Sequence, residues 1–111
     1  MSHDFAAQRA ETFDAIAEMI GDGGLPDVAD LDFFFVATAQ PADWAGLAAA
    51  LEQADFMCDW VDDVDEGEAP YLVATLADQP VSAQSIWVAE ETATRVALQH
   101  GFTPDGWALE G

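Results

Sequence analysis

Apolar residues recur along this chain at two periods, about 3.6 and 2, and the changes of period mark out its elements. Between Asp4 and Ile20, Phe5, Phe13, Ile16 and Ile20 fall close to one helical stripe, with Glu11, Asp14 and Glu18 off it. Ser2 or Asp4 supplies an N-cap, and Gly21, Gly23-Gly24 and Pro26 stop the helix. The next apolar run, Leu31 to Thr38, reads as a strand. Its consecutive Phe33, Phe34, Phe35 and Val36 make both faces apolar, which predicts a central strand covered on both sides. A second helix opens at Gln40-Pro41, with Pro at the first helical position, Asp43 in the first turn and a stripe of Trp44, Leu47, Ala48 and Leu51.

Alternation returns at Phe56 to Val61, where Phe56, Cys58 and Trp60 interleave with Met57, Asp59 and Val61. Pro70 to Ala77 is a third strand, and the acidic, Gly-containing link before it predicts an antiparallel hairpin. A third helix ends at His100-Gly101. Ile86, Ala89, Ala93, Val96 and Ala97 mark its face, Ser82 or Ser85 caps it, and Glu91 supports Arg95 one turn on. Phe102 to Leu109, with Pro104 and Gly106 inside it, reads as an edge or bulged strand. After the first helix the order is β-α-β-β-α-β. The expected fold is therefore α+β, a ferredoxin-like antiparallel sheet with an added N-terminal helix, in one domain over residues 1–111. A strand order of 4-1-3-2 places the two most apolar strands at the centre. The added helix is expected over the open face or an end of the sheet.

Charge changes the picture more than any motif. Against 22 Asp and Glu stand two cations, Arg9 and Arg95, for a formal net charge of −20. Counterion release from nucleic acid and attraction to anionic lipid both need Lys and Arg, so direct nucleic-acid or membrane-surface binding is not expected. A basic partner is expected instead, with solubility or adaptation to a salty cytoplasm as the plainer origin of the acidity. No apolar stretch approaches the ~20 residues of a membrane span. Met1-Ser2-His3-Asp4 does not begin a secretory signal, and one cysteine, Cys58, agrees with a reducing, cytoplasmic setting.

Candidate chemistry is sparse. The acidic segment fails the spacing of an EF-hand: from Asp63, Gly67 and Glu68 fall where a ligand and Gly are required, and from Asp62, Val64 falls at the third position. Cys58 with His100 or His3 lacks the electropositive surroundings of a reactive thiol. Neither Ser82 nor Ser85 sits in a nucleophile elbow, and Gly21-Asp22-Gly23-Gly24 has no following Lys for a phosphate loop. Trp44 and Trp60 fall on expected inward faces, and Trp87 is expected to be partly buried over a helix edge. No cofactor, metal site or catalytic residue is assigned.

Two segments carry a resemblance. Arg9-Ala10-Glu11-Thr12, Ile16 and Gly21-Asp22-Gly23-Gly24 with Pro26 resemble the opening of the regulator of ribonuclease E activity B family. Phe102-Thr103-Pro104-Asp105-Gly106-Trp107 resembles its Asp-Gly-Trp segment. Together they span about residues 8 to 107. The resemblance implies a small acidic α+β protein without enzymatic activity that binds ribonuclease E and inhibits RNA cleavage. The partner surface so implied is a basic segment of the endoribonuclease. Charge density, not the resemblance, singles out Asp59, Asp62, Asp63, Asp65, Glu66 and Glu68 as the contact. Ala108 and Leu109 depart from the family's usual Gly and aromatic residues, and its usual acidic C-terminal extension is not part of this sequence. A ferredoxin-like small-ligand or metal-binding module is the alternative, and self-association as a homodimer stays open.

Overall fold

The computed structural model describes residues 3–38, 42–61 and 69–110. Three helices and four strands follow one another as α1 (Phe5–Gly21), β1 (Val28–Ala37), α2 (Trp44–Glu52), β2 (Met57–Val61), β3 (Tyr71–Pro80), α3 (Ala83–Gln99) and β4 (Phe102–Glu110). The strands form one sheet in the order β2-β3-β1-β4, every neighbouring pair antiparallel. The two apolar strands are thus central, and β4, with Pro104 at a register shift, is an edge.

Side-chain acceptors set the helix starts. Asp4 accepts from the Ala7 amide, Asp43 from that of Gly46 and Ser82 from that of Ser85. The second helix therefore begins at Trp44, with Asp43 as its cap and not in its first turn. Pro41 lies outside the described residues. At the far end of α3, Gly101 takes φ +81°, a conformation that costs a side-chain-bearing residue, and leads directly into β4.

One face of the sheet forms the core. Leu31, Phe33 and Phe35 of β1 and Leu72 and Ala74 of β3 pack with Leu47, Leu51, Ile86, Ala93 and Ala97 of the helices. Phe56 meets Phe33 edge-on at 6.2 Å, and Trp44 meets Phe102 at 5.0 Å. Trp87 is buried, further in than expected, whereas Trp60 is 40% exposed on β2, which ends the strand order.

The expected two-sided cover of β1 is not what forms. α1 lies against α3 and makes no close backbone approach to any strand, leaving Phe34 and Val36 half-buried on a sheet face that none of the described helices reaches. The cause is local. Gln8 and Thr12 of α1 are buried against Glu90 and Thr94 of α3, and Arg95 stacks over Phe5 at 4.3 Å, so the apolar stripe of α1 carries its polar neighbours inward beside α3. Among the described residues no helix is long and apolar enough to cross a membrane.

Candidate protein-binding surface

The uncovered sheet face follows from strand parity. With Leu72 and Ala74 turned to the core, Tyr71, Val73 and Thr75 of β3 face the other way. Their partners, Phe34 opposite Val73 and Asp32 opposite Thr75 on β1, share that face. So do Met57, Asp59 and Val61 of β2, paired with Thr75, Val73 and Tyr71. Phe34 and Tyr71 meet edge-on at 6.1 Å. Phe34, Val36, Ala69, Tyr71 and Asp105 line a shallow groove of about 560 Å³. Thr75 donates its hydroxyl to Asp32 at 2.6 Å, which satisfies a carboxylate that the strands leave only 9% exposed.

Of the six acidic residues singled out by charge, the structure places Asp59 on this face, exposed between Met57 and Val61. Asp62, Asp63, Asp65, Glu66 and Glu68 lie outside the described residues. The apolar half of the surface was missed in the sequence. Its signal is the second parity of the β1 run, Phe34 and Val36, which reads equally as a face covered by the rest of the molecule.

A second concavity, about 620 Å³, lies between α1, α3 and β4, lined among others by Glu11, Thr12, Glu90, Pro104 and Trp107. Glu90 is the most deeply buried acid there, at 6% exposure. It accepts from Gln8 Nε2 at 3.0 Å and from the Thr12 hydroxyl. Burial pushes its carboxyl above the ordinary glutamate value against the lowering effect of those two hydrogen bonds. Glu11 adds to the rise and His3 opposes it. Sequence reasoning passed over Glu90, yet it lies at helical spacing from Ile86, Ala93 and Ala97, a charged residue within an inward stripe.

The remaining candidates are dispersed. Burial, then the charges of Glu52 and Asp59, push the Cys58 thiol up to about 11, so it is protonated at neutral pH and no thiolate nucleophile. Cys58 on β2 and the groove beside β4 are at opposite edges of the sheet, about 14 Å apart at one strand spacing per step. Among the described residues, the two groups whose acidity is displaced, Cys58 and Glu90, therefore do not converge. Ser82 and Ser85 bond one another at 2.9 Å at the cap of α3. Among the described residues no group of three or more His, Cys, Asp or Glu is placed to hold a metal ion.

The family model described as Regulator of ribonuclease activity B matches residues 9–108. No curated protein matches the chain.

Proposed function

The chain belongs to the regulator of ribonuclease activity B family, and from that premise we propose that it is a non-enzymatic regulator of RNA decay. It acts in the cytoplasm by binding an endoribonuclease of the ribonuclease E type through protein–protein contact, and so inhibits RNA cleavage. The family match over nearly the whole chain carries this reading. The net charge of −20 supports contact with a basic segment of the nuclease over contact with its RNA. The strand order, with α2 crossing from β1 to β2 and α3 from β3 to β4, supports reading the domain as ferredoxin-like with α1 added.

Within this reading Asp59, Asp62, Asp63, Asp65, Glu66 and Glu68 contribute to the contact. The test is an RNA-cleavage assay with the purified endoribonuclease at increasing amounts of this chain, beside a titration of RNA with the chain alone. Slower cleavage without binding to free RNA is expected. Undiminished cleavage at saturating chain would dismiss the inhibitor. Neutralising four of the six acids should then weaken binding to the nuclease and flatten its salt dependence, and an unaltered affinity and slope would remove that patch.

A further inference from the structure

The sheet face that none of the described helices covers combines two properties that select what can cover it. It is apolar along its middle, with Phe34 and Val36 of β1, Tyr71 and Val73 of β3, and Met57, 62% exposed, at its β2 margin. Every charge that the described residues place on it is negative. Asp59 stands between Met57 and Val61, Asp105 rims the groove at Phe34 and Tyr71, and by register Asp32 and Glu110 share the face. The chain has no lysine, and its two arginines are on α1 and α3, stacked over Phe13 at 4.2 Å and over Phe5 at 4.3 Å.

We propose that this uncovered sheet face is a docking surface for an arginine-rich polypeptide segment that also carries apolar side chains. Apolar partner atoms bury Phe34, Val36, Tyr71 and Val73. Guanidinium groups stack on the aromatic rings and pair in a fork with Asp59 and Asp105, which an ammonium does not do. A second copy of this chain brings the same sign of charge to the face and is repelled, as are RNA and an anionic lipid surface. The inference deepens the proposed function, on which it rests for the identity of the partner, by naming where that partner binds and by which chemistry.

The test uses the full chain and two ligands: the purified endoribonuclease, and a synthetic peptide of alternating arginine and leucine. The face variant is Met57→Lys, Asp59→Lys and Val61→Lys together. The control, Asp14→Lys, Ile20→Lys and Val88→Lys together, adds the same charge on the helical side at exposed positions. The face variant is expected to bind both ligands at least about tenfold more weakly than the control does. Asp59→Asn with Asp105→Asn, nearly isosteric, gives the same direction if the lysine variant fails to fold. Equal losses in face and control variants, unchanged binding in the face variant, or no binding of the peptide to the wild-type chain would each overturn the docking surface. So would a dimer at low salt that the face variant dissociates. Binding of the peptide but not of the nuclease, lost in the face variant, would uphold the surface and reject the nuclease as partner.

Discussion

Glu90 is a carboxylate placed where the helical pattern calls for an apolar side chain, and its energetics depend on protonation. A buried acid whose folded value lies above its unfolded one holds its proton longer in the native state. Stability therefore falls as pH rises from the ordinary value of 4.5 through the raised one, and the unfavourable contribution is complete above both. Glu90→Gln keeps an acceptor for Gln8 and can donate to the Thr12 hydroxyl while removing the charge. The variant is expected to be more stable than wild type at neutral pH, by about 1 kcal/mol, the usual scale of a single substitution. The gain should shrink as pH falls toward 4.5. Thermal melts of both proteins across that range measure the difference and cancel the other acids. A gain independent of pH would show that the charge is not what burial opposes.

At the scale of elements, most of the layout was legible because period, caps and breakers agreed with one another. Asp4, Ser82 and the Gly101 turn sit where the pattern put them. What the pattern did not disclose was how elements lie on one another. The run Phe33–Val36 reads the same whether its second face meets a helix or a partner, and α1 carries no mark that it docks on α3 through buried Gln8 and Thr12. The start of α2 was misplaced because Pro41 is a good first helical residue while Asp43 is a better cap. That cap sets up a testable coupling. A Cβ on Gly46 would run into the Asp43 carboxylate that accepts from the Gly46 amide. Gly46→Ala gains up to about 1 kcal/mol of helix propensity and loses a cap of similar size, so alone it should leave the midpoint of chemical unfolding nearly unchanged. Made on Asp43→Ala, where no cap remains to be lost, the same substitution should stabilise by about 1 kcal/mol. Additive effects in the four-protein cycle would mean that the two residues do not compete for the space.

For the whole molecule, a charge of −20 on 111 residues has opposite consequences for folding and for association. Inside one chain the acids repel one another, so screening should favour the compact state. Between this chain and a cationic segment they attract, so screening should weaken the complex. Raising NaCl from about 0.02 M to about 0.5 M shortens the Debye length from roughly 20 Å to roughly 4 Å, which removes all but the closest pairs. Over that range the melting temperature is expected to rise by several degrees while affinity for the arginine–leucine peptide falls by one to two orders of magnitude, roughly linearly in log salt. The two slopes separate the plain explanation of the acidity from the functional one. Acidity that serves only solubility requires the first slope and has no use for the second. An apolar face left open among carboxylates predicts both, with a residual affinity at high salt from the burial of Phe34, Val36, Tyr71 and Val73 that screening does not reach. An affinity that vanishes altogether at about 0.5 M would mean that those side chains are not in the contact.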